Sequence, residues 1–166
     1  MREKRKRKIR KRGMAAVLLL CMALGSLQAS AADDQLGTVV DGSLLTEETE
    51  VESVVYPLAR YSYLATGTGT LTLTGTRTVR MTGSTTATSS VDRIKVQMYL
   101  QRLKNGTWVN YQTGTLGIKY NTYYVSTTDT ITVEGGYYYR ACGAHAATEG
   151  STTDSTSSYT DGMWIN

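Results

Sequence analysis

The stretch Thr66–Thr82, TGTGTLTLTGTRTVRMT, decides the fold class. Threonine occupies every second position from Thr66 to Thr78, and the positions between carry mostly glycine or leucine. A period of two residues is that of a β-strand, because successive side chains point to opposite faces. The pattern predicts a ribbon with threonine outside, bent where its glycines fall. Its predicted inner face consists of Leu71, Leu73, Val79 and Met81.

Similar signals continue to the end of the chain. Val91–Leu103 is the next predicted strand, with Ile94, Val96, Met98 and Leu100 on one face. Asn105-Gly106 behind it predicts a tight hairpin, since both residues accept a positive φ. We predict shorter strands and one Ser/Thr-rich loop, Thr148–Ser158. Seven or eight strands separated by turn signals are typical of a single antiparallel β-sandwich, immunoglobulin-like or jelly-roll-like, over residues 60–166. The shorter strands are Thr107–Tyr111, Leu116–Tyr120, Tyr123–Ser126, Thr130–Val133, Tyr137–Ala146 and Tyr159–Ile165.

The first 31 residues have the organisation of a secretory signal peptide. Met1–Gly13 holds nine basic residues and one acid, Met14–Leu27 is apolar, and a small-x-small pattern ends at Ala31. We expect cleavage between Ala31 and Ala32, which makes the protein secreted, either extracellular or loosely associated with the cell wall. The apolar run is shorter than the roughly 20 residues of a membrane span, which disfavours an uncleaved anchor. Its position directly behind the basic cluster disfavours a nucleic-acid-binding arm.

Charge divides the remaining chain in two. Removing a segment of net charge +8 from a chain of net charge +4 leaves a product near −4. Residues 32–59 contain seven acids and no base, whereas residues 60–166 contain nine bases and six acids. We interpret residues 32–59 as an extended, flexible acidic arm, part of which docks on the domain or forms a short helix near Thr46–Ser53.

The chain contains the residues for few kinds of catalytic site. Cys142 is the one cysteine left after cleavage, so an intramolecular disulfide is excluded; a buried, a free and an intermolecularly paired thiol stay open. The single histidine, His145, follows three residues later, and on an extended strand the two side chains point to opposite faces. The aspartate and glutamate residues fall in predicted turns or at strand ends, and their spacing indicates no catalytic arrangement of carboxylates. We therefore expect no catalytic residues, no metal and no cofactor.

Tyrosine is the most suggestive side chain, because the chain has twelve tyrosines and no phenylalanine. One interpretation is that tyrosine replaces phenylalanine in the core. The other is that exposed rings form a recognition surface, since rigid amphipathic rings favour binding and flat aromatic faces stack on sugar rings. On the second interpretation the candidate ligand-binding residues are Trp108, Tyr137, Tyr139, Arg140 and His145.

Four runs carry a resemblance to a known family: YLATGTGTLTLTG from Tyr63, VQMYLQRLKNGTWV from Val96, GGYYYRACGAHA from Gly135 and TDGMWIN from Thr160. Together they resemble small exported proteins of Gram-positive, gut-type bacteria that share a domain of unknown function. The resemblance extends over about residues 61–166. It implies export and an all-β fold, and it implies no catalytic residue.

Three functional hypotheses follow. The leading one is a secreted, non-catalytic β-module that binds a partner outside the cell, with a cell-wall or other glycan as the candidate partner. The alternative is a small secreted effector, such as a bacteriocin-like competition factor. A hydrolase that uses His145 with a loop acid is the third and least favoured hypothesis.

Overall fold

The computed structural model describes residues 35–57 and 63–166 and arranges them into nine β-strands. The predicted signal peptide and its cleavage site at Ala31 and Ala32 lie outside the described residues. The strands are β1 Val39–Val40, β2 Ser43–Thr46, β3 Glu50–Val55, β4 Leu64–Gly75, β5 Thr78–Lys104, β6 Thr107–Thr132, β7 Tyr137–Glu149, β8 Thr152–Tyr159 and β9 Gly162–Ile165.

Hydrogen bonds join all nine strands into one mixed sheet. Its order is β1-β2-β9-β7-β5-β4-β3, with β6 along the other edge of β5 and β8 along β7. Every pairing is antiparallel except that of β2 with β9, which is parallel. The predicted all-β class is therefore confirmed. The expected purely antiparallel sandwich is not confirmed, because β2 returns beside the last strand in the parallel direction.

The long hairpin β5–β6 curls this sheet upon itself. It turns at Asn105-Gly106 with φ angles of 53° and 75°, as the sequence predicts. The first half of β5 pairs with β4 and the second half with β7. Between the halves the register shifts, and Asn121 of β6 has a φ of 50°. The halves then face each other: the Thr115 amide donates to Asp129 Oδ2 at 2.8 Å, so β6 bonds to itself across the bend.

The main hydrophobic core fills the space between the facing halves. Leu71, Val79 and Met81 are buried as predicted, while Leu73 is half-buried against the core. The threonine run is nevertheless not a single strand, because a turn at Thr76-Arg77 separates β4 from β5. Leu73 pairs with Val79 across that turn, so odd-numbered residues face inward on both strands and the alternation continues through it.

Three further predictions are wrong in detail. The Ser/Thr-rich segment Thr148–Ser158 is not a loop, because it contains the end of β7 and most of β8, which pairs with β7 alone among the described strands. The short helix near Thr46–Ser53 is replaced by the end of β2 and the start of β3. The four short segments predicted after Gly106 merge into the single strand β6. Val39–Val55 of the expected flexible arm thus supplies three strands of the sheet.

Glycines on the inner faces let the two halves approach closely. A Cβ on Gly67 would lie 2.5 Å from both Cγ and Cδ2 of His145, and one on Gly143 would lie 2.5 Å from His145 Nε2. Gly69 meets Ser158 in the same way, at 3.0 Å from its Oγ. The Thr-Gly repeat therefore makes room for side chains of β7 and β8. The register between β4 and β5 shifts between Leu73 and Gly75, at one of the glycines where a bend was predicted.

We expect Gly67→Ala to destabilise the fold by about 1–3 kcal/mol, because the new methyl group overlaps an imidazole that is held on both sides. The matched control is Gly75→Ala in the same strand, where the nearest atom to an added Cβ is 3.5 Å away. Urea unfolding measures both free energies. Equal stability of the two variants would contradict the close-approach explanation.

Candidate functional site

His145 is a core residue that links the two halves of the sheet. Its Nδ1 lies 2.9 Å from Thr85 Oγ1 and its Nε2 lies 2.9 Å from Ser158 Oγ. The Thr85 hydroxyl donates its one hydrogen to the Lys95 carbonyl at 2.9 Å, so Nδ1 must carry the proton that it shares with Thr85. Nε2 then accepts from Ser158. Because the side chain is 1% exposed, it cannot touch a ligand at the surface.

The Ser158–His145 pair does not form a nucleophilic site. A serine hydroxyl that donates to a neutral histidine is the pairing used in hydrolases, but that chemistry also needs access to a substrate. Ser158 is fully buried. The group that orients the histidine, a carboxylate in such hydrolases, is here the hydroxyl of Thr85. Burial lowers the pKa of His145 to about 4, opposed by a backbone hydrogen bond with Ser84. The histidine is therefore neutral at pH 7 and acts as a structural hydrogen-bonding residue.

Cys142 lies on the opposite face of β7 from His145. It pairs with Tyr99 on the outer face, whereas His145 pairs with Val96 on the core face. The thiol is free and buried, and burial raises its pKa, opposed by the charge of Arg140. The two residues therefore form no dyad. Among residues 35–57 and 63–166, no group of three or more His, Cys, Asp or Glu side chains is arranged to hold a metal ion.

Arg140 and Trp108 are brought together on the outer face of the sheet. The Arg140 Cζ lies 4.6 Å from the Trp108 ring centroid and 4.8 Å from that of Tyr159, so the guanidinium contacts two aromatic rings. Its Nε donates to Gln101 Oε1 at 2.8 Å. Burial lowers the pKa of Arg140, opposed by its hydrogen bond and charge interaction with Asp41. Two of the predicted site residues thus form one cluster.

The β1–β2 hairpin covers that cluster. Arg140 Nη1 donates to Ser43 Oγ at 2.6 Å, and Nη2 forms an ion pair with Asp41 at 3.2 Å. Trp108 Nε1 donates to the Val40 carbonyl at 3.0 Å. Leu45 completes a second small apolar cluster there, with Leu103, Trp108 and Tyr138. The acidic segment therefore docks on the domain through the Asp41–Arg140 ion pair, the two hydrogen bonds and the apolar contacts of Leu45. Both Arg140 and Trp108 are buried beneath it.

The predicted tyrosines divide between the interior and its border. Tyr139 is fully buried, and its hydroxyl donates to the Glu134 carbonyl at 2.9 Å. Burial raises its pKa to about 12. Tyr137 is half-buried, with the Arg102 guanidinium 4.5 Å from its ring centroid. Tyr138 and Tyr139 thus take core positions that phenylalanine often fills. The five predicted site residues do not share one surface.

A groove that the sequence analysis did not identify lies on the outer face of β6, β5, β7 and β8. Its volume is about 470 Å³. Ala144, Ser155 and Ser157 on β7 and β8 contribute small side chains to its lining, and Lys95, Gln97 and Leu116 contribute larger ones. The small side chains leave the space that the larger neighbours enclose. The alternation of β7 contained this signal, since Ala144 must face outward if His145 faces inward.

Exposed tyrosines flank the groove at opposite corners. Tyr120 of β6 lies directly opposite Arg93, one pair beyond Lys95, and is 63% exposed. Tyr159 of β8 lies opposite Cys142, one pair beyond Ala144, and is 49% exposed. Six residue steps of β5, from Arg93 to Tyr99, separate these two positions by about 20 Å along the strand direction. Gln97 is oriented between them by a 2.7 Å hydrogen bond from its Nε2 to the Gly114 carbonyl.

These features define the class of protein as an all-β module with an open groove on its sheet. The chain belongs to a family of unknown function, DUF6147, whose family model matches residues 32–163. The search of curated proteins and the search of solved structures found no match. In the described part of the chain, no helix is long and apolar enough to cross a membrane.

Protonation of His145 should weaken the fold in acid. The unfolded chain binds a proton on this residue near pH 6.5, and the folded chain does so only near pH 4. The contribution of neutral His145 to the free energy of unfolding is therefore complete above about pH 6.5. It is lost as the pH falls towards 4, by as much as about 3 kcal/mol. Urea unfolding between pH 4 and 7.5 measures this loss. His145→Gln should be less stable at pH 7 and should lack the part of the pH dependence of the unfolding free energy that His145 contributes. An identical pH dependence in the two proteins would contradict its assignment to His145.

Proposed function

We propose that the chain is an exported, non-catalytic module that binds a glycan outside the cell, in the medium or at the wall. The observation that carries this proposal is the open groove on the outer face of the sheet, with Tyr120 and Tyr159 exposed at its ends. Ligand sites are concave and combine apolar surface with a few well-placed polar groups. The groove has this composition.

The shape and the polar groups of the groove favour a sugar polymer. Sugar rings present an apolar face to an aromatic side chain and hydroxyl groups at their edges. The Gln97 amide and the hydroxyls of Ser155 and Ser157 can hydrogen-bond those edges, and Tyr120 and Tyr159 can stack on the faces. An offset of about 20 Å along the strands between the two tyrosines suits an extended chain better than a single sugar.

The lining favours binding over hydrolysis. Glycoside hydrolysis ordinarily uses two carboxyl groups on either side of the scissile bond. Among the described residues that line the groove, the charged side chain is that of Lys95, and no aspartate or glutamate takes part. His145 is also among the lining residues, but its side chain points into the core. The groove therefore has the groups to hold a ligand and lacks those that would cleave a glycoside.

Export rests on the first 31 residues. A basic segment, an apolar segment and a small-x-small motif in that order are the features that a signal peptidase substrate needs. The family match begins at residue 32, directly after the proposed cleavage site. The full chain, expressed in a bacterium with a functional secretion pathway, should yield a product in the medium or the wall fraction whose N-terminal sequencing begins Ala32-Asp33-Asp34. Recovery of the intact chain from the cell interior would contradict this part of the proposal.

Glycan binding should depend on Tyr120. Residues 32–166 form one compact unit and can be tested alone. We expect saturable sedimentation with isolated cell walls or with one class of insoluble polysaccharide. Tyr120→Ala should weaken that retention about tenfold, which corresponds to 1.4 kcal/mol, because an exposed aromatic contact is lost.

The matched control for this experiment is Tyr56→Ala. Tyr56 is 70% exposed and follows β3, a strand that contributes no residue to the lining of the groove. Both variants should keep the unfolding free energy of the parent protein. Retention lost equally in the two variants, or absent from every wall and polysaccharide, would overturn the glycan assignment.

A further inference from the structure

Two unpaired cations lie side by side on the face that carries the groove. Arg93 and Lys95 are two residues apart on β5, so they share a face and their Cα atoms lie about 7 Å apart. Within residues 35–57 and 63–166, neither is within ion-pair distance of a carboxylate. The Arg93 Nε is also buried and has no hydrogen-bond partner among the described residues.

Two other arginines of the sheet have partners for their charge. Arg102 pairs with Glu134 at 2.6 Å, and Arg140 is bound by Asp41, Ser43 and Gln101. The Nε of Arg102 is also buried without a hydrogen-bond partner among the described residues. Arg93, the arginine beside the groove, differs from both because no described carboxylate lies within ion-pair distance of its guanidinium.

The acids nearest to Arg93 in the pairing are already occupied. Asp92 Oδ2 accepts from the Gly150 amide at 2.8 Å, and Glu149 Oε2 accepts from the Asp92 amide at 2.9 Å. Both carboxylates therefore hold the turn between β7 and β8. Among the described residues, neither carboxylate lies within ion-pair distance of Arg93 or Lys95.

A buried N–H without an acceptor costs about 1–3 kcal/mol, and native structures seldom retain one without a reason. An oxygen of a bound ligand would satisfy it. A negatively charged oxygen would also pair with the Lys95 ammonium, which lines the groove itself. A neutral sugar would leave both positive charges without a partner.

We propose that the ligand of the groove is a polyanionic glycan, whose negatively charged groups pair with Lys95 and Arg93. This inference rests on the proposed glycan-binding function and names the class of glycan. The shared chemistry is an anionic oxygen repeated along a sugar or polyol chain. A carboxylate of a uronic acid and a phosphodiester of a wall polymer are its two sources.

The test compares three soluble polymers with residues 32–166: polygalacturonate for carboxylate, poly(glycerol phosphate) for phosphodiester and dextran as the neutral polymer. Titration calorimetry at 50 and 200 mM salt measures each affinity. We expect at least one anionic polymer to bind ten times or more tightly than dextran. That binding should weaken at the higher salt concentration, because ion pairs with the ligand are screened. The anionic polymer that binds identifies the source.

Variants distinguish this site from general attraction to a basic surface. Lys95→Gln and Arg93→Gln should each weaken binding to the anionic polymer about tenfold. Lys104→Gln removes the same charge from an exposed position at the tip of the β5–β6 hairpin and should leave the affinity unchanged. Thermal unfolding verifies that all three variants are folded. An equal loss in all three would overturn the inference.

The remaining outcomes separate the inference from the proposed function. Binding to dextran as tight as to the anionic polymers would overturn the polyanion inference and support glycan binding. Binding to none of the three polymers, together with the absence of retention on walls and insoluble polysaccharides, would overturn both.

Discussion

His145 fills a narrow space between β4 and β7, where a methyl group on Gly67 would collide with its ring. Hydrogen bonds to Thr85 and Ser158 hold the ring from both sides. The position of this one side chain determines which face of β7 is inside. Because His145 faces inward, Ala144 and Ala146 face outward, and these small residues contribute to the lining of the groove. The core contact and the candidate binding surface are therefore two consequences of the same alternation.

The parts of this arrangement that local sequence specifies were predictable. Period-two alternation identified the inner residues Leu71, Val79 and Met81, and the Asn105-Gly106 turn follows from the φ angles that those residues accept. Both depend on neighbours a few positions apart. The turn at Thr76-Arg77 was missed because it preserves the alternation, so the pattern reads the same with or without it. The strand β8 was missed because serine and threonine also suit the exposed edge of a sheet.

The candidate site was less predictable, because it depends on contacts between distant segments. Trp108 and Arg140 were predicted from the sequence as ligand-binding residues, and the partners that cover Arg140 in the structure, Asp41 and Ser43, come nearly 100 residues before it. No local pattern shows that a hairpin covers them. The groove likewise requires the register of four strands, which places Lys95 beside Ala146 and Ala146 beside Ser155. Composition identified tyrosine as the important aromatic residue, but only the register shows that Tyr120 and Tyr159 are the exposed ones at the groove.

The parallel pairing of β2 with β9 sets the order in which folding can finish. Leu45 and Thr46 find their strand partners in Gly162 and Met163, more than 110 residues later in the chain. The loop that this pairing closes is nearly the whole described sheet, and such distant contacts form late and slowly. A chain that emerges from a ribosome or a translocation channel N-terminus first exposes β2 long before β9. The β1–β2 hairpin can form early, but its second edge must wait for its parallel partner until the last strand has emerged.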